Sequence, residues 1–222
     1  MNNSVANTAR LLWAGLRALL VLTVVCGVLY PLAVTGVAQG VFPHQANGSE
    51  ISADGRVVGS ALIGQRYDLP LEKGQHTAAP DLRWFQPRPS DGLTTNTVNT
   101  HDKLLVSGAT NLAGDNSKLV AEVKAAKAAV VKDNSVPGHP VNPADVPADA
   151  VTSSGSGLDP AISPAYAQLQ VRRVAERNHL GVDRVEKLVD QHTDGRILGF
   201  VGEPTVNVLR LNIALGQLVG KR

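Results

Sequence analysis

The residues of this 222-residue chain that could do chemistry are few, and the densest group runs from Ser153 to Pro164. Ser153, Ser154, Gly155, Ser156 and Gly157 crowd small and hydroxylic side chains together, Asp159-Pro160 follows, and Ser163-Pro164 comes next. A serine N-cap accepts a bond from a free first-turn N–H, and proline after it loses nothing, because its missing N–H would have been unpaired. The pattern predicts a glycine- and serine-rich loop set against the positive end of a helix. Such a loop can cradle an anion, bind the backbone of a partner, or serve as a tight turn. Asp159 before proline is a common turn former. Arg88 sits between Pro87 and Pro89, with Ser90 after it. The prolines hold it on a stiff extended segment. From there it can aim at a carboxylate or phosphate, or form a plain salt bridge across the surface. Ser107-Gly-Ala-Thr-Asn111 is a second cluster of small residues carrying hydroxyl and amide groups.

The usual catalytic groupings are missing. No GxxxxGK[ST] or GxGxxG motif supports nucleotide binding, and Ser156 in G-S-G is not the strained G-x-S-x-G elbow. The six histidines are scattered, without the spacing of a zinc site. His179 and His192 read as groups near helix ends. No catalytic, cofactor or metal residue is assigned, and no paired carboxylates recommend themselves as acid and base.

The elements that must position these groups follow from periodicity. Arg56 to Gln65 reads as a strand, or two short strands, with close backbone approach at its glycines. Asp68 to Pro80 is a loop, and Gly92 to Gly114 an irregular surface region. Asn116 or Asp115 caps a helix through about Lys132, with Leu119, Val123, Ala126 and Val130 on one face. Prolines 137, 140, 143 and 147 make residues 133–149 an extended connector. Ser163 to about Leu180 is the strongest helix, with Gly181 expected at its C′ position. Arg172, Arg173 and Arg177 favour its negative end. Asp183 and Glu186 resemble a capping box for a helix reaching about His192. Ile197 to Val201 reads as a buried strand, and Val206 to Leu218 as a helix, although VNVLRL could also alternate as a strand.

Ala18 to Gln39 carries no charged residue, a run long enough to cross a bilayer. Arg10 and Arg17 flank its entry side, and residues 40–47 lack Lys and Arg. The positive-inside rule then gives a cytoplasmic N-terminus (1–17), a span (18–39) and an extracytoplasmic domain (40–222). A signal peptide cleaved after Ala38 is the alternative, but the apolar run exceeds the usual signal core. A net charge of +2 argues against nucleic acid as a partner. The lone cysteine, Cys26, excludes an intrachain disulfide. The fold class is α+β: one membrane helix, then one compact domain with a small sheet and several helices.

Several long stretches, in this order, resemble the KdpC family, the small C subunit of the bacterial Kdp potassium-transporting P-type ATPase. They are Tyr30-Pro31, GSALIGQ at 59–65, WFQPRPS at 84–90, VPADAVTSSGSGLDPAISPAYAQLQVRRVA from Val146, and GEPTVNVLRLNIAL at 202–215. The chain departs from the family's DPHISP in having Ala161, so no role for an imidazole beside Asp159 carries over. It also has SGATNLAG where the family has SGGSNLGP.

The resemblance implies a non-catalytic subunit in the plasma membrane. Its partners would be a channel-like potassium-translocating subunit, a P-type ATPase subunit, a small accessory membrane peptide and the lipid bilayer. It also implies a catalytic chaperone that raises the partner's ATP affinity, with ATP shared with the ATPase subunit and no cofactor bound covalently. The charge flanks instead put the domain on the face away from cytoplasmic ATP. Arg88, Ser90, Asn111, Ser154, Ser156, Asp159 and Asn207 are the candidates for partner contact or for the cation path, since oxygen-rich surfaces suit hard cations. A membrane-anchored extracytoplasmic adaptor or hydrolase unrelated to transport is the alternative.

Overall fold

The apolar N-terminal stretch is one helical rod. In the computed structural model, which describes residues 3–71, 78–90 and 107–220, α1 (Asn3–Val24) passes through a π-helical turn, Val25–Leu29, into α2 (Tyr30–Val41). The π turn has a local cause. Pro31 brings no N–H and its ring crowds the carbonyl four residues back, so the chain widens just before it. The Tyr30 N–H accordingly bonds to the Val25 carbonyl. The apolar helix spans Ser4–Val41 and is long enough to cross a membrane, so it extends beyond the expected 18–39 at both ends. Within α1, the Arg17 guanidinium lies 6.0 Å from the Trp13 ring centroid. One helical turn, α3 (Pro43–Ala46), follows.

Residues 50–222 form a separate compact unit. It opens with an antiparallel hairpin of β1 (Glu50–Ala53) and β2 (Arg56–Ser60). Asp54 and Gly55 both take positive φ, 51° and 75°, as the two-residue Asp-Gly turn of a hairpin requires. The close backbone approach expected in β2 falls at Gly59, where a Cβ would collide with the Gln65 side-chain amide.

Asn116 caps α4 (Ser117–Asn134), accepting from the N–H groups of Lys118 and Leu119. The stretch beyond it is mostly extended, with single 3-10 turns at Pro143–Asp145 and Ala148–Ala150. β3 (Ala161–Ile162) leads into α5 (Pro164–Arg177), and α6 (Val182–Gln191) into β4 (Thr193–Asp194). β5 (Thr205–Asn207) continues directly into α7 (Val208–Gly220). The second sheet is antiparallel in the order β3-β5-β4. α5 is central to the core. Ala167, Val171, Val174 and Ala175 are buried with Val185 and Val189 of α6, Leu211 and Leu215 of α7, Val206 and Phe85.

Four expectations need correction. His179, not Gly181, takes the C′ position of α5, with φ 53°. Its N–H bonds to the Glu176 carbonyl and that of Leu180 to the Ala175 carbonyl, the paired bonds of a Schellman end. Gly181 is instead the N-cap of α6. Asp183 lies inside the first turn of α6, so it forms no capping box with Glu186. Ile197–Val201 is not a buried strand but an exposed turn. Arg173 does not serve the helix end; it is buried, 2% exposed. Of the irregular region expected at 92–114, residues 92–106 lie outside the described residues, as do 72–77 of the preceding loop; 107–114 carry no helix or strand.

Candidate functional site

The loop singled out in the sequence is a junction in the fold. The Ser154 hydroxyl accepts from the Gly157 N–H (3.0 Å), and that of Ser156 from the Leu158 N–H (3.1 Å). These bonds close the turn locally, as serine side chains do. The turn's outward carbonyls then collect neighbours. The Ser156 carbonyl accepts from the Gly108 N–H and the Ser107 hydroxyl, and the Leu158 carbonyl accepts from the Gly64 N–H. Ser90 donates its hydroxyl to the Gly157 carbonyl. Gly157 has φ 69°, and a Cβ there would lie 2.8 Å from the Gly108 carbonyl oxygen. Only glycine fits that contact.

Arg88 does what its stiff segment predicted of the plainer role. Its Nη1 lies 3.2 Å from Asp159 Oδ2, and Nη2 and Nε donate to the carbonyls of Ser153 and Thr152. Asp159 also accepts from the Ala161 N–H at 2.9 Å, the turn geometry expected of Asp before Pro. Five candidates, Arg88, Ser90, Ser154, Ser156 and Asp159, therefore belong to one cluster. Asn207 does not join their bonds. It caps α7 by accepting from the Arg210 N–H and donates to the Ala61 carbonyl. Its strand, β5, pairs with β3, which follows Asp159-Pro160. Asn111 is exposed, with φ 52°.

The helix behind the loop does not offer an open anion site. Ser163 caps α5 as predicted, accepting from the Tyr166 N–H at 3.0 Å. The carboxylate of Asp149 already occupies the position before the helix. Its two oxygens accept from the Ser163 N–H (2.7 Å) and hydroxyl (2.9 Å). A negative group belongs there, next to the positive helix end. The protein supplies its own, which removes the reason to bring a phosphate to this place. Beside the cluster a cleft of about 500 Å³ opens between Leu119, Glu122 and Val123 of α4 and Thr152, Ser153 and Gly157.

A second polar constellation, not foreseen from the sequence, holds the segment that carries Arg88. Buried side chains pair the backbone of residues 82–86 as a strand would. Asn212 donates to the Phe85 carbonyl and accepts from its N–H, both at 2.9 Å. Gln170 does the same for Gln86, at 3.1 and 2.7 Å. Arg173 donates to the carbonyls of Leu82 (2.5 Å) and Trp84 (3.0 Å), to Asn134 Oδ1 (2.8 Å) and to Gln170 Oε1 (2.6 Å). Burial pushes the Arg173 guanidinium down to about 10, so it stays charged at neutral pH. At the start of the segment, the Arg83 guanidinium holds the Asp81 carboxyl below its ordinary range. The one available signal was amide and arginine side chains on the apolar faces of α5 and α7.

Among the described residues, one helix long and apolar enough to cross a membrane precedes a small α+β unit, and the most conspicuous loop of that unit spends its polar groups on the fold itself. The family model described as the K+-transporting ATPase, c chain, matches residues 12–217. The chain is 74% identical over 219 residues to the potassium-transporting ATPase KdpC subunit of Streptomyces avermitilis, covering 99% of both chains. It is 69% identical to that of Streptomyces coelicolor, over 99% of this chain and 97% of the relative. The Mycobacterium tuberculosis protein of the same name is 47% identical over 94% of this chain and 99% of its own length. The chain belongs to the KdpC family, the c chains of the K+-transporting ATPase. That membership leaves no ground for an unrelated adaptor or hydrolase.

Proposed function

We propose that this chain is a non-catalytic accessory subunit of an ATP-driven potassium uptake complex. It joins a channel-like potassium-translocating subunit to a P-type ATPase subunit, with a small accessory peptide and the surrounding lipid completing the assembly. The observation that carries the reading is family similarity along nearly the whole chain, together with a loop cluster committed to bracing. The anchor crosses with its N-terminus inside, following Arg10 and Arg17, and the domain lies outside. Arg88, Ser90, Ser154, Ser156 and Asp159 hold a rigid face toward the partners or the cation path. Any rise in ATP affinity of the ATPase subunit is then relayed through the assembled complex, since ATP lies on the other side of the membrane.

Two measurements test this. A tagged full-length chain should copurify with a P-type ATPase subunit and a potassium-translocating subunit, and its deletion should abolish uptake at low potassium. Unaltered uptake without the chain would sink the proposal. Reporter fusions at Gly155 should be active only outside the cell; activity in the cytoplasm would reverse the topology and revive direct ATP contact.

A further inference from the structure

Four large apolar side chains stand in solvent at one tip of the domain. Ile197 is 69% exposed, Leu198 82%, Phe200 73% and Val201 46%. Together they present roughly 500 Å² of apolar surface, near the top of the range for the largest patch on a soluble monomer. The tip is not loose. Ile197 and Val201 exchange two N–H···O bonds of 2.9 Å, and the Phe200 N–H bonds to the Ile197 carbonyl. Arg196 and Glu203 close the base with an ion pair of 2.8 Å.

The turn itself breaks two local rules at one residue. Leu198 has φ 55° and Gly199 φ 81°. Such a turn favours Asn, Asp or Gly at its first central position. Leucine there bears the steric penalty of the left-handed region and also offers its whole side chain to water. Local rules are broken where another requirement overrides them. We infer that the Ile197–Val201 tip is an apolar plug that seats in an apolar pocket of another protein subunit of the potassium-transporting complex. The inference rests on the proposal that the chain works as a subunit.

Charge selects that occupant over the other two. Residues 194–203 carry Asp194, Arg196 and Glu203, a net charge of −1, and the one cation is paired. An anionic bilayer surface attracts basic rims, and this rim is acidic. Two copies meeting tip to tip across a two-fold axis would bring like charges together. A protein pocket with a neutral or basic fringe has neither penalty. One tip covers less than a full interface side, so it serves as an anchor within a larger contact.

The test uses the full-length chain in native membranes. A photo-crosslinking phenylalanine analogue at position 200 should yield an adduct that mass spectrometry identifies as a subunit of the potassium-transporting ATPase. An adduct with lipid alone, with a second copy alone, or none at all overturns the inference. Leu198→Asn, which suits the left-handed turn, should leave the melting temperature unchanged or higher. Combined with Phe200→Ser, it should lower recovery of the complex by at least about tenfold. Wild-type recovery with the double variant overturns the plug while leaving the subunit role standing. Failure of the unaltered chain to recover any ATPase subunit overturns both.

Discussion

Arg173 gives the sharpest test of how this domain holds its shape. Its guanidinium is 2% exposed and faces four neutral acceptors rather than a carboxylate. Replacing it with Met keeps most of the packing and removes all four bonds. Gln170 Oε1 retains the Gln86 N–H and the Trp84 carbonyl retains the Gln86 side-chain amide at 3.5 Å, so the Leu82 carbonyl and Asn134 Oδ1 suffer most. Each buried acceptor left unpaired costs about 1–3 kcal/mol, partly offset because a charge no longer has to be desolvated. The expected net loss is about 3–5 kcal/mol. Lysine keeps the charge but cannot serve acceptors in three directions, so it should recover only part of that. The assay is urea unfolding of the full-length chain in detergent, in a Trp13→Phe background. Trp84 is then the sole tryptophan and lies inside the network as an acceptor and 5.9 Å from the Tyr67 ring. A loss below about 1 kcal/mol for Arg173→Met with an unchanged urea slope would refute the reasoning. It would mean that water or neighbouring amides replace the guanidinium without penalty.

Other outcomes follow from the same geometry. Gly157→Ala, strained at φ 69° and in collision with the Gly108 carbonyl, should destabilise by about 1–3 kcal/mol. Gly155→Ala, whose added methyl meets nothing within 4 Å, should be nearly silent in the same melt. Asp149→Ala removes two acceptors from Ser163 and should cost about 1–2 kcal/mol, measured by the same unfolding curve. For Arg88 and Asp159, both partly exposed, a double-mutant cycle should give a coupling of no more than about 1 kcal/mol. A pH series reads Tyr166, whose hydroxyl burial pushes up to about 12 from an ordinary 10. The unfolded chain loses that proton first, so stability should fall as pH rises from about 10 toward 12. Comparison with Tyr166→Phe isolates the contribution. Asp81 works in the other direction. Its pairing lowers the carboxyl below the ordinary 3.8, so the stabilisation is present above that pH and lost as acid protonates it, and Asp81→Asn should flatten the acid limb of the melt.

The legible features were those whose cause is local. Ser163, and Asn116 as one of two candidates with Asp115, were readable as caps because a short side chain next to free N–H groups has one favourable use. Arg88 was readable as a salt-bridge former because two prolines limit where it can point. Asp54-Gly55 was equally local, a standard hairpin signal just ahead of the strand read from Arg56. The end of α5 misled for a related reason. Glycine is the usual left-handed residue, but His179 takes that conformation two positions earlier, where burying Leu180 sets the end of the helix.

What was not legible depends on partners far away in sequence. Gln170, Arg173 and Asn212 look like polar interruptions of apolar helix faces, yet each is buried against residues 82–86, about eighty or more positions away. No period or propensity encodes that pairing. The segment itself, with Pro87 and Pro89 near its end, cannot complete a ladder from its own N–H groups. Side chains from α5 and α7 therefore substitute for a neighbouring strand, and the segment carrying Arg88 is fixed in place from behind. Ile197–Val201 shows the same limit from the opposite side. Apolar residues bounded by glycines read as a buried strand because burial is the usual fate of Ile, Leu, Phe and Val in a single chain. That rule presumes that the chain alone supplies the burial. For a subunit it need not, and these four residues, core-like by type, stand in solvent on the domain.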